Sequence, residues 1–317
     1  MSNLIEAQDV WKSFGSNEIL RGLNLTVPRG CVFALLGENG VGKTTLIRGL
    51  MGYLKFDRGR VTVSGFDPQR DTLPMRRRIG YVPDSPTFYE WMTVAETARF
   101  AAAFHAGGFL RNFADHATRF ELPAATKVAA LSKGMKSKLA LALMLAADPE
   151  LLILDEPTSG LDPVVRRTFL ESMVDLAAAG KTVLIASHQI HEIERVADQV
   201  AFIREGQICE VGLLEDLKQD IQVLSFSRRD TLIGVPFGES ESQVLSAVES
   251  GRTMTCLMRK LADELISRIQ NDTNIFDINV SAPSLEDLYV GFSSPKKLSH
   301  FSRATNREAN RELEVRQ

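Results

Sequence analysis

The 317-residue chain carries 37 Lys and Arg against 40 Asp and Glu, a formal net charge of −3, and 44% hydrophobic residues. That length supports one large domain of roughly 200 residues plus a smaller one, and the slightly acidic balance excludes a general electrostatic case for nucleic acid as partner. Cys31, Cys209 and Cys256 stand far apart without metal-ligand spacing, a usage that suits a reducing, cytoplasmic compartment better than a disulfide scaffold.

The N-terminal segment MSNLIEAQDV lacks a basic start followed by an apolar stretch, so no secretory leader is expected. The apolar run at residues 31–36 reads as a buried strand and ends in a glycine-rich loop. Residues 85–130 are alanine-rich and helical in pattern without strand runs, which predicts a helical subdomain inserted into a sheet domain. The longest apolar run, residues 139–147, is closed by Lys138 and Asp148 and is about half a membrane span. No bilayer crossing is expected, and a membrane role would need a partner chain.

Further buried strands are predicted at residues 151–154, 182–186 and 200–203. Between them Asp162 and Pro163 start a helix that carries Val165, Phe169, Met173 and Leu176 at helical spacing and closes at Gly180. Alternating strands and helices predict an α/β fold with a largely parallel sheet. From about residue 218 a small second α/β unit begins, with alternation over 222–227, a helical pattern over 261–269 and a short strand over 276–280. The expected division is 1–217, 218–292 and a polar tail, 293–317, with the composition of a disordered segment.

Gly37, Glu38, Asn39, Gly40, Val41, Gly42, Lys43, Thr44 and Thr45 fit G-x-x-x-x-G-K-[ST] at the strand-to-helix junction this phosphate-binding loop requires. Its glycines let backbone N–H groups curl around phosphate oxygens, Lys43 reaches the β and γ phosphates, and the Thr44 hydroxyl can ligate Mg2+. The strand at 151–154 delivers Asp155 and Glu156 at its carboxyl end, where α/β sheets bind ligands. Asp155 suits the outer shell of Mg2+, and Glu156 can deprotonate the water that attacks the γ-phosphate. A solvated acidic pair capping the next helix is the bland alternative. Kinases, GTPases, helicases and transport ATPases all remain open at this point.

Three further stretches narrow the choice. Leu131, Ser132, Lys133, Gly134 and Met135 open a helix, Ser159, Gly160, Leu161 and Asp162 follow Glu156, and Ser187 and His188 follow the strand at 182–186. With these in order, about residues 3–217 resemble the ABC ATPase family. The resemblance implies a P-loop fold of ABC ATPase type that binds ATP and Mg2+ and hydrolyses ATP. It places LSKGM where the family signature usually reads LSGGQ, so Ser132 and Gly134 would bind ATP held in the P-loop of a second subunit. It also makes His188 the switch histidine that contacts the γ-phosphate, sets Phe14 against adenine with Trp11 as competitor, and counts Asp162 among the nucleotide-binding residues.

Three positions depart from the family pattern. Asp84 stands where a glutamine usually touches Mg2+ and the attacking water, Lys133 replaces a signature glycine, and Met135 replaces the signature glutamine. A carboxylate oxygen ligates Mg2+ at least as well as an amide, so Asp84 joins Thr44 and Asp155 as a metal candidate. The SKGM signature, the acidic residue and a C-terminal extension carrying Ser284, Leu285, Glu286, Asp287 and Leu288 look like the exporter branch, whose membrane permease is a separate chain. By themselves those five residues say only that a helix begins near Ser284. The resemblance therefore implies an ATPase subunit working as a homodimer, or as a heterodimer with a related subunit, at the inner face of the membrane. The permease would dock on residues 85–130. An importer ATPase, and a soluble ABC ATPase acting on ribosomes or DNA, are the alternatives.

Overall fold

Apolar side chains alternate along the first strands, with Leu23, Leu25 and Val27 buried and their neighbours turned outward, the pattern of a sheet with one covered face. The computed structural model describes residues 3–293 apart from 106, 159–160, 232, 234, 236 and 238–242. Ser159, Gly160 and the tail beyond Ser293 therefore lie outside the described residues. The chain divides into two units between Val211 and Gly212.

In the first unit β1 (Asn3–Phe14) and β2 (Asn17–Pro28) form an antiparallel pair, and β3 (Val32–Leu36) leads into α1 (Lys43–Leu50). Then come β4 (Arg58–Val63), α2 (Thr72–Arg76) and β5 (Ile79–Val82). Three helices follow: α3 (Val94–Ala102), α4 (Phe109–Arg119) and α5 (Lys133–Ala146). The unit continues with β6 (Leu151–Asp155), α6 (Pro163–Ala178), β7 (Thr182–Ser187), the single turn α7 (Ile190–Ile193), β8 (Gln199–Arg204) and β9 (Gln207–Leu213).

Two sheets result. The larger runs β5-β6-β7-β3-β8-β9, and its β5-β6, β6-β7, β7-β3 and β3-β8 pairs are parallel. β3 and β6 are buried at every position because both faces of this sheet are covered. The smaller sheet, β2-β1-β4, is antiparallel, and the reading from apolar runs misses it, since its strands alternate. Leu4, Ile5, Val10, Leu20 and Leu23 join Phe33, Leu35, Leu46, Ile153 and Leu184 in one core.

The helical layer extends past residue 130. α3 starts at a capping box, with Thr93 Oγ1 accepting from Glu96 N at 3.2 Å and Glu96 Oε2 accepting from Thr93 N at 2.8 Å. α5, which contains most of the 139–147 run, buries Leu139, Leu141, Leu143 and Leu145 and is thus a core helix. Among the described residues no helix is long and apolar enough to cross a membrane.

The second unit holds α8 (Leu214–Asp220), β10 (Ile221–Arg228), β11 (Val244–Ser250), β12 (Thr253–Arg259), α9 (Asp263–Gln270), β13 (Ile275–Ser281) and α10 (Leu285–Ser293). Its antiparallel sheet has the order β11-β12-β10-β13, with Leu224, Phe226, Met254, Cys256 and Met258 packed against Leu265 and Ile269 of α9. Burial pushes the Cys256 thiol up to about 12. Arg228 is 1% exposed and pairs with Glu249 across the sheet. α10 begins where Asp287 N donates to Ser284 Oγ at 3.1 Å and Ser284 N donates to Asp287 Oδ2 at 2.8 Å.

Candidate active site

The loop from β3 to α1 is shaped by glycines. A Cβ at Gly37 would lie 2.6 Å from the Ile203 side chain, so the end of β3 can press against β8 only without a side chain there. Gly40 and Gly42 have φ of +82° and +114°, the left-handed region that other residues occupy only under strain. No side chain caps α1, which leaves its first N–H groups to a ligand.

Lys43, the first residue of α1, is 5% exposed and folds back over the loop. Its Nζ donates to Gly37 O at 2.7 Å and Glu38 O at 3.1 Å, and stands 3.8 Å from Glu156 Oε1. Burial pushes the Lys43 ammonium below its ordinary value, with Glu156 and Asp155 pulling the other way. Asp155 is 3% exposed, and burial raises its carboxyl above the usual range while the neighbouring Thr44 side chain opposes the rise.

Glu156 is positioned by the pairing of β6 with β7. Asp155 lies beside Ala186, and Glu156 N donates to Ala186 O at 2.9 Å. His188 is thereby carried to the same carboxylate: its Nδ1 is 2.8 Å from Glu156 Oε2, and its backbone N–H donates to that oxygen at 3.3 Å. Glu156 has φ of +48°, a left-handed backbone that costs a non-glycine residue about 1 kcal/mol or more and persists where surrounding bonds hold it.

Lys43, Asp155 and Glu156 line a cavity of about 330 Å³, whereas His188, which meets Glu156, and Gly37 do not line it. Asn39, Gly40, Gly42, Lys43, Thr44 and Thr45 form its floor, and Asp84, Asp155 and Glu156 bring the acidic side. Phe14, 53% exposed, lies at its rim beneath Lys12, whose Nζ is 5.3 Å from the ring centroid. Trp11 is not on the cavity; its indole donates to Asp9 Oδ1 at 2.8 Å. Ile19 also lines the cavity, a residue absent from the sequence reading because nothing in β2 marks it apart from other apolar strand positions.

The remaining expected residues lie off this wall. Val41 packs against the core, and Glu38 is exposed with its carbonyl turned to Lys43. Ser132 is exposed and caps α5 by accepting from Met135 N at 3.2 Å, while Gly134 lies against Leu161. Asp162 caps α6 by accepting from Val165 N at 3.0 Å. Neither the Ser132 and Gly134 pair nor Asp162 lines the cavity.

The donor set fits Mg2+ bound together with phosphate. Asp155 Oδ1 is buried without a hydrogen-bond partner, the Thr44 side chain is beside it, and Asp84 opens onto the same cavity. Among the described residues no group of three or more His, Cys, Asp or Glu could hold a metal ion alone. Mg2+ suits such a site, since it takes one or two carboxylates and completes its shell with phosphate oxygens and water.

Known proteins share this arrangement of sequence and fold. Residues 20–159 match the family described as ABC transporter. The chain is 31% identical to an uncharacterised ABC transporter ATP-binding protein, YdbJ, of Bacillus subtilis (strain 168), over 90% of this chain and 94% of that protein. It is 33% identical to the Nod factor export ATP-binding protein I of Bradyrhizobium diazoefficiens, over 92% and 96% of the two chains. With the bacitracin transport ATP-binding protein BcrA of Bacillus licheniformis it shares 32% identity over 92% and 97%. A solved ATP-binding subunit of an ABC transporter superposes with a TM-score of 0.64 at 30% identity, covering 68% of this chain and 92% of the other.

Proposed function

The chain belongs to the ABC transporter family as an ATP-binding subunit, an ATPase that powers transport, and on that premise we propose that two such subunits close on ATP to drive a separate membrane permease in export. The observation that carries this reading is the meeting of Lys43, Asp155 and Glu156 on one cavity with His188 Nδ1 2.8 Å from Glu156 Oε2. It couples a phosphate-binding lysine to a carboxylate fit to accept a proton.

In this reading the loop amides and Lys43 bind the β and γ phosphates, and Phe14 stacks on adenine. Thr44, Asp155 and Asp84 would hold Mg2+, which when bound neutralises phosphate charge. Glu156 takes a proton from the attacking water, and His188 orients that carboxylate. Ser132 and Gly134 lie off the cavity of their own chain, which agrees with their serving the nucleotide of a second subunit. Asp162, just beyond Leu161, would face that same junction.

Export is supported by what similar proteins are named for: Nod factor export and fluoroquinolones export. Permease docking on the helical layer is supported by a row of exposed aromatic side chains in consecutive ring contact, Trp91, Tyr89, Phe100 and Phe104. We infer attachment to the inner face of the membrane through that permease.

The test is affinity purification of Glu156→Gln from detergent-solubilised native membranes in ATP, followed by mass spectrometry. Recovery of a polytopic membrane protein, with a second ATPase subunit in stoichiometric amount, is the expected result. Ribosomal or DNA-repair proteins without any membrane chain would overturn the transport reading and leave the ATPase assignment standing.

A further inference from the structure

We propose that Arg166, Glu192 and Gln189 are positioning residues, a clasp that ties the turn carrying His188 to Leu161 and the start of α6. The inference rests on Glu156 and His188 acting together in hydrolysis.

Arg166 stands in the first turn of α6, its backbone N–H bonded to Asp162 O at 3.0 Å. Its guanidinium points back along the chain: Nη2 donates to Leu161 O at 3.0 Å and Nη1 to Glu192 Oε1. Glu192 is on α7. The side-chain amide of Gln189, the residue after His188, lies against the same carboxylate, and the amide orientation that satisfies both groups puts its nitrogen 2.9 Å from Oε1 and 3.0 Å from Oε2. The Gln189 backbone N–H donates to Ser187 Oγ at 3.0 Å, and Ser187 Oγ lies 3.4 Å from Glu156 Oε2. A circuit of hydrogen bonds therefore runs from Leu161 through Arg166, Glu192, Gln189 and Ser187 back to Glu156.

The chemistry favours a positioning role. Arginine presents a planar fork that serves two acceptors at once, and its bonds to a carboxylate are short and directional. The Arg166 and Glu192 side chains are 29% and 17% exposed, so water competes with this pair less than with a surface ion pair. None of the three residues lines the nucleotide cavity. His188, by contrast, is exposed, on a turn that enters a helix of a single turn. Such a turn needs an outside anchor if Nδ1 is to remain at Glu156. Loss of the anchor would leave nucleotide binding intact and misplace the catalytic pair.

Steady-state hydrolysis and equilibrium ATP binding are measured on the full chain for Arg166→Ala, Arg166→Lys, Glu192→Ala, Gln189→Ala and the Arg166→Ala/Glu192→Ala double variant. Arg166→Ala and Glu192→Ala are expected to lower kcat by roughly ten- to a hundred-fold, the scale of a small misplacement of reacting groups. ATP affinity and KM stay at the wild-type value. Arg166→Lys restores part of kcat, and the double variant falls no further than either single one, as members of one network do. Should Arg166→Ala fail to fold, Gln189→Ala and Glu192→Gln carry the same test. Wild-type kcat in these variants, additive losses, or a loss of ATP affinity matching the loss of rate would each overturn the clasp. Glu156→Gln is the control: if it turns over like wild type, the reading of Glu156 fails, whereas an inactive control beside fully active clasp variants discards the clasp alone.

Discussion

His188 Nδ1 lies 2.8 Å from Glu156 Oε2, although the two residues are carried by different strands of the parallel sheet. The contact exists because β6 and β7 are neighbours, so their carboxyl ends emerge side by side. A carboxylate on one strand end and an imidazole on the next make a pair that can accept and steer a proton at the mouth of the phosphate-binding loop.

Glu156→Gln keeps the side-chain shape and an acceptor for His188 but removes the basic carboxylate. Hydrolysis is expected to fall by roughly 10²- to 10⁴-fold, the usual contribution of a positioned base. ATP binding is retained. Phosphate release and nucleotide titration, run side by side, check both halves, and wild-type turnover would remove Glu156 from the role of base.

Lys43→Met tests the electrostatic cost of the site. Burial depresses the folded-state pKa of Lys43 below its unfolded value. Between the two the unfolded chain binds more protons, so this group makes stability rise with pH across that window. Below the window the buried charge is a net cost to the fold. The variant is expected to be at least as stable as wild type at neutral pH without nucleotide, to lose the corresponding alkaline rise, and to bind ATP roughly a hundredfold more weakly for want of the charge-assisted phosphate contact. Thermal melts across pH, with and without ATP, decide it.

Gly42→Ala forces a left-handed backbone onto a residue with a side chain, at φ +114°, and brings a Cβ to 2.9 Å from Leu20. The cost is about 1–2 kcal/mol from the backbone alone, and the start of α1 must shift. A lowered melting temperature together with weaker ATP binding is the expected pair of effects. A variant that binds ATP like wild type would show that the loop tolerates another backbone at this point.

Glu249→Ala leaves the guanidinium of Arg228, 1% exposed, without its carboxylate. Removing one partner of a buried pair is costly, here about 2–3 kcal/mol because Glu249 itself keeps some solvent contact. Hydrogen exchange should accelerate in β10, β11 and β12. Unchanged protection in those strands would mean that the backbone carbonyls of Thr231 and Ile233, which also accept from Arg228, suffice.

Much of the molecule is legible in one dimension. A buried parallel strand reads as an unbroken apolar run, so β3, β6, β7 and β8 are visible as residues 31–36, 151–154, 182–186 and 200–203. The phosphate-binding loop is visible because its chemistry is local: strand, glycines, Lys43 and Thr44 are consecutive. Capping at Ser284 and the helix from Pro163 are local for the same reason. The sheet β2-β1-β4 was less legible, since its strands alternate and its third member arrives after α1.

Local motifs in one dimension single out Gly40, Gly42, Lys43, Thr44, Asp155, Glu156 and His188 as candidates for binding phosphate and accepting a proton. Which of them meet follows from the pairing of distant strands. Strand order β6-β7-β3 sets Glu156 between Lys43 and His188, Phe14 rather than Trp11 reaches the cavity, and Ser132 and Gly134 stay off it. Apolar runs identify a strand but not its neighbour, because the pairing energy belongs to segments far apart in the chain and becomes available only when the whole sheet is assembled.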